Sequence, residues 1–138
     1  MANSKTIYKP PDGRAAENVT EDKTLAIEHQ GVVQNVIADG LNITLPATVV
    51  GYIYTIRNGG VPKTGGAAGT GDDGSAIVKI TPNSGDLIAG MELTASDADS
   101  INNTKATARV GDEITLLGNG TTGWNIVSIK GTWAQIAI

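Results

Sequence analysis

The segment Gly69-Thr-Gly71-Asp-Asp-Gly74 spells out GxGxxG, the loop by which dinucleotide-binding folds lay backbone N–H groups against a pyrophosphate. That chemistry needs a strand before the glycines and a helix after them. Here Gly65-Gly-Ala-Ala68 precedes the motif, the strand-like run Ala76–Thr81 follows it, and Asp72 and Asp73 would repel a phosphate. The match reflects glycine richness, and no cofactor is expected. Asp97 and Asp99 are spaced like the opening of a calcium loop. Such a loop also needs Gly at its sixth position and a bidentate Glu at its twelfth, where this chain has Asn102 and Ala108. No metal site is expected either.

Catalysis finds little footing. There is no cysteine for thiol chemistry, and the single histidine, His29, stands beside Glu28 with no serine next to it. A G-x-S-x-G nucleophile elbow is absent. Asp86, Glu92, Asp112 and Glu113 are the acids available for paired-carboxylate hydrolysis, but each falls in or beside a turn, where acids are commonplace. The expectation is a protein with no catalytic residues. Trp124 and Trp133 would stack a sugar ring if exposed; buried, they are the bulkiest pieces of a core. Burial is the favoured reading. Asn18-Val-Thr20, Asn42-Ile-Thr44, Asn102-Asn-Thr104 and Asn119-Gly-Thr121 match the glycosylation acceptor, but no apolar signal core precedes them, and no modification is expected.

Elements that would position these groups follow from composition and period. Val, Ile and Thr number 41 against 27 for Leu, Met, Glu, Gln, Lys and Arg, and branching at Cβ favours a pleated strand. Phe is absent and aromatics are 4% of the 138 residues, so the core must be aliphatic. Strands are expected at Thr24–Gln30, Val32–Ala38, Leu41–Leu45, Gly51–Asn58, Ala76–Thr81, Lys105–Arg109, Glu113–Leu117, Trp124–Lys130 and Trp133–Ile138. Asp39-Gly40 reads as a hairpin turn, and Gly111-Asp112 and Gly118–Gly123 as further turns. In Gly85–Ser100 a short helix over Leu87, Ile88, Met91 and Leu93 competes with irregular structure. Asn58–Ser75 holds seven glycines in eighteen residues and reads as an exposed loop. The expected fold is all-β: a single antiparallel sandwich or barrel, jelly-roll-like, over residues 23–138.

Residues 1–22 differ from the rest. They show no apolar period, and Pro10-Pro11 forbids a helix through their middle. They read as an extended arm that orders on a partner, anchored by Ile7 and Tyr8, with Lys5, Lys9 and Arg14 supplying positive charge. Net charge is −4, and the ten basic residues are scattered, so nucleic acid is not an expected partner. No apolar run approaches the ~20 residues of a membrane span. Weak aromatic content argues that apolar surface is completed between chains, with the closing hairpin nearest the contact at Ile126, Ile129, Trp133 and Ile136.

A resemblance runs through residues 32–134. Leu41-Asn-Ile-Thr-Leu-Pro46, Gly51-Tyr-Ile-Tyr-Thr-Ile56, Asn103-Thr-Lys-Ala-Thr-Ala108, Gly111-Asp112, Ile114–Gly120, Gly123-Trp-Asn-Ile126 and Gly131-Thr-Trp133 resemble a pattern in structural proteins of tailed bacteriophages. It occurs in capsid decoration (cement) proteins and in head-fibre and tail-fibre domains. The resemblance implies a β-rich protein without catalytic residues, assembled as a homotrimer. Its expected partner is the major capsid protein, and its expected place the outer capsid surface of a virion, after synthesis in the host cytoplasm. A short chain with no repetitive shaft leans towards decoration; the alternative is a fibre or receptor-binding domain recognising host surface glycans.

Overall fold

Strict alternation of apolar and polar residues is clearest in Ile53–Asn58 and Glu113–Gly118, and both pack as strands with one face sealed. The computed structural model describes residues 14–60, 76–96 and 99–136. Among these, twelve strands form: β1 (Ala15–Val19), β2 (Lys23–Thr24), β3 (Val32–Val36), β4 (Leu41–Thr44), β5 (Ile53–Asn58), β6 (Val78–Thr81), β7 (Leu87–Gly90), β8 (Leu93–Ala95), β9 (Ser100–Asn103), β10 (Glu113–Gly118), β11 (Gly123–Lys130) and β12 (Ala134–Ile136). They make a seven-stranded sheet ordered β1-β3-β5-β10-β11-β7-β8 and a five-stranded sheet ordered β12-β9-β6-β4-β2. The fold is all-β, with two sheets around one core.

The sheets are mixed rather than antiparallel. From β1 to β6 the chain alternates between the two sheets, so strands that become neighbours within one sheet run the same way. Hence β1–β3, β3–β5, β2–β4 and β4–β6 are parallel, as is β11–β7. Asp39-Gly40 is accordingly no hairpin turn. It crosses between sheets with Gly40 at φ +76°, and the Asp39 carboxylate accepts the N–H of Ile77 at 2.8 Å ahead of β6 while pairing with Lys105. Burial alone would raise the Asp39 pKa; the Lys105 ammonium and the N–H groups of Ile77 and Gly40 outweigh it and hold the group below its ordinary range. This contact therefore stabilises above the ordinary carboxyl pKa and is lost as pH falls below it.

Other elements depart from expectation for local reasons. Of the expected Thr24–Gln30 strand only Thr24 falls in a strand, the two-residue β2; Ile27–His29 turns into a short 3₁₀ helix. Lys105–Arg109 is a turn, because Thr107 and Ala108 donate their N–H groups back to Thr104. The ambiguous stretch after Gly85 holds the hairpin β7–β8, closed by Met91 and Glu92 at φ 50° and 65°, and then β9. The most consequential difference is β1. Residues 15–19 belong to the sheet, with Glu17 and Val19 buried, so the folded body reaches back into the expected arm.

The core follows from register. Ile56 and Ile114 face each other, as do Tyr54 and Leu116, and Trp124 stands beside Ile88 on the seven-stranded sheet. Ile43, Ile80 and Ile101 face them from the other sheet, all without solvent exposure. Trp124 and Tyr54 make a tilted ring pair with centroids 5.3 Å apart. Burial raises the pKa of the Tyr54 phenol, whose hydroxyl donates to the carbonyl of Ala26 at 2.9 Å.

Candidate functional site

A charged cluster lies between the sheets where β1, β2 and β3 meet. Period two turns Glu17 and Gln34 inward opposite each other, and Lys23 enters from the facing sheet. The Lys23 ammonium pairs with Glu17 Oε1 and donates to Gln34 Oε1 at 2.6 Å. His29 Nδ1 accepts the N–H of Ala26 at 2.8 Å, and its Nε2 lies 3.9 Å from Glu17 Oε1. An imidazole facing a carboxylate resembles half of a proton-transfer pair. Among the described residues the cluster brings together one acid, one ammonium, one imidazole and one amide. Its geometry is that of a buried ion pair joining the sheets.

A second buried network joins the sheets where β5, β9 and the turn before β10 meet. The Asn58 amide donates to Asn103 Oδ1 at 2.7 Å and to the carbonyl of Ala76, and Asn103 donates to Asp112 Oδ2 and to the carbonyl of Thr132, both at 3.0 Å. Asp112 Oδ2 also accepts the N–H of Arg109 at 2.9 Å. Asn103→Ala removes one hydrogen bond each from Asn58, Asp112 and the Thr132 carbonyl, and is expected to cost about 3 kcal/mol, at roughly 0.5–1.5 kcal/mol per bond. Asn103→Asp is expected to melt lower at pH 7 than at pH 5, because protonation relieves the clash of two adjacent carboxylates. Thermal unfolding of both variants at the two pH values checks this.

These contacts settle how the expected acids are used. Asp112 is consumed in the network just described, Asp86 accepts the N–H of Thr48 at 2.9 Å, and Glu113 grips Arg14 through both oxygens at 2.9 and 3.1 Å. Glu92 sits exposed at the β7–β8 turn. Asp99 accepts from Ser96 and from Gln135. Among the described residues no three His, Asp or Glu side chains gather as a metal site, and no helix is long and apolar enough to cross a membrane.

The outer face of the five-stranded sheet carries a groove of about 620 Å³ lined by Asn42, Ile77, Lys79, Thr81, Ser100, Asn102 and Ile136. Outward positions on β4, β6 and β9 supply hydroxyls and amides that bond along the sheet: Thr81 to Asn42 at 2.7 Å, Ser100 to Asn102 at 2.6 Å. Such a surface can bind a polar partner.

The expected contact residues are dispersed. Lys5, Ile7, Tyr8 and Lys9 lie outside the described residues, as do Asp97, the GxGxxG segment and most of the glycine-rich loop. Arg14 leads into β1, and its bond to Glu113 raises its guanidinium pKa. Of the four residues expected at a subunit contact, Ile126 and Trp133 are 5% and 6% exposed, sealed in the chain's own core. Ile129 is half-buried, and Ile136 is exposed beside the groove. Both tryptophans are buried, so neither offers a sugar-stacking platform. What sequence reasoning missed are Glu17, Lys23 and Gln34, whose association depends on pairing between distant strands. No family model, no curated protein and no solved structure matches this chain.

Proposed function

We propose that this chain is a capsid decoration (cement) protein of a tailed bacteriophage, seated as a homotrimer on the major capsid protein at the outer surface of the head. The observation that carries this reading is the sequence pattern across residues 32–134, which runs from β3 to the first residue of β12. Two features support it. Glu17, Lys23, Asn58, Asn103 and Asp112 are occupied in joining the sheets, which suits a module that binds and does not turn over substrate. The exposed Ile136 and half-buried Ile129 leave apolar surface at the closing strands for a neighbouring chain. Ile7, Tyr8, Lys5 and Lys9 are retained as capsid anchors, now in a segment bounded by Arg14.

A second reading, a fibre or receptor-binding domain for host glycans, draws on the amide- and hydroxyl-lined groove. It loses the tryptophan platforms that would have favoured it. Antibody labelling of intact virions separates the two: label spread over the head is expected, and label confined to the tail tip would overturn the proposal. Light scattering is expected to give the mass of three chains; a monomer at micromolar concentration removes the trimer from it.

A further inference from the structure

On the outer face of the seven-stranded sheet the parallel register of β1, β3 and β5 sets Asn18 beside Asn35 and Asn35 beside Arg57. These three side chains form a directed relay. Asn35 Nδ2 donates to Asn18 Oδ1 at 3.0 Å, which turns Asn35 Oδ1 towards Arg57, whose Nη1 donates to it at 3.0 Å. Gly59 closes over the Asn35 amide so tightly that a Cβ there would meet it at 2.6 Å. The guanidinium is thus half-buried and aimed, while among the described residues no carboxylate pairs with it. A pocket of about 280 Å³ opens at this point, walled by Arg14, Ala16, Val33, Asn35 and Arg57.

We infer that this pocket receives one carboxylate, carried by an acidic side chain of a partner protein. Charge sets the number. Among the described residues Arg14 and Arg57 share one neighbouring carboxylate, Glu113, which pairs with Arg14 and stands opposite Arg57 in register, so one positive charge is left over at the pocket. That matches a monoanion and not a doubly charged phosphoryl group. Guanidinium geometry sets the type, because its remaining N–H groups lie in one plane and fork onto two carboxylate oxygens. Ala16 and Val33 supply apolar wall for the methylenes of a Glu side chain. The site is distinct from the groove on the opposite sheet and does not depend on where in a virion, or elsewhere, the protein works.

The test uses the full chain and two blocked peptides, acetyl-Thr-Val-Glu-Val-Thr-amide and the same peptide with Gln replacing Glu, followed by ¹H–¹⁵N NMR. The Glu peptide is expected to move the signals of Ala16, Asn35 and the Arg57 Nε–H saturably, and the Gln peptide to leave them in place. Arg57→Gln is expected to weaken binding at least about tenfold, and Arg57→Lys, which keeps charge but loses the fork, to recover only part of it. Asn35→Asp supplies an internal carboxylate to Arg57 and is expected to abolish binding while leaving the melting temperature at or above that of the parent. Equal shifts with both peptides, full affinity in Arg57→Gln, or full affinity in a folded Asn35→Asp each overturn the assignment. So does inorganic phosphate that moves the same signals at lower concentration than the Glu peptide, since the pocket would then be built for a phosphoryl group.

Discussion

Deleting residues 1–22 is expected to destroy the cooperative fold, whereas deleting residues 1–13 is expected to preserve it. The longer deletion removes β1 and with it Val19 and Glu17 from the interior. Lys23 loses its carboxylate and Gln34 the charged neighbour opposite it, while β3 becomes a bare sheet edge. Losing the buried valine costs roughly 1.5–3 kcal/mol. The ladder hydrogen bonds of β1 on β3 go with it, at about 0.5–1.5 kcal/mol each. The sum is comparable with the whole stability of an ordinary domain, about 5–15 kcal/mol. Circular dichroism melts of the two truncations check this. A sharp melt of the 1–22 deletion within a few degrees of the full chain would show that β1 is dispensable. Glu17→Gln offers a milder probe, expected to lower stability without removing the strand.

Trp124→Ala is expected to cost about 3–5 kcal/mol, the usual range for emptying a large aromatic site. Trp124 has no exposed surface, and its ring pair with Tyr54 contributes roughly 0.5–1.5 kcal/mol beyond area. Trp124→Phe is expected to be far gentler. The indole N–H is buried without a hydrogen-bond partner, so the smaller ring sheds an unsatisfied donor while it gives up contact area. Urea unfolding of the two variants measures both. Equal losses for Ala and Phe would mean that the indole N–H is satisfied in solution.

Legibility in the sequence tracked how far each structural fact lies from local pattern. Leu41–Thr44, Ile53–Asn58 and Glu113–Gly118 alternate cleanly, and all three are strands with one buried face. β1 was invisible because Ala-Ala-Glu-Asn-Val hides its inward pair behind a carboxylate that only Lys23 makes tolerable inside. β9, Ser-Ile-Asn-Asn, is buried on both faces and so shows no alternation at all. The β7–β8 turn places Met and Glu at positive φ, where Gly or Asn would have announced it. Parallel pairing left no local trace, since it arises from the chain passing between sheets six times in succession, each crossover joining strands that never neighbour one another. The Arg14–Asn35–Arg57 pocket was hidden for the same reason: its residues come from three parallel strands and their approaches.

The proposed place of work is the outer surface of the phage head. The most direct test is to add the full chain to phage heads assembled without it, and to follow both bound copies and the heat stability of the heads. Saturable binding to the outer surface is predicted, with heads that release their contents at a higher temperature once occupied. Heads that stay bare at saturating protein, while the same preparation adheres to host cells, would contradict the decoration reading and favour receptor recognition.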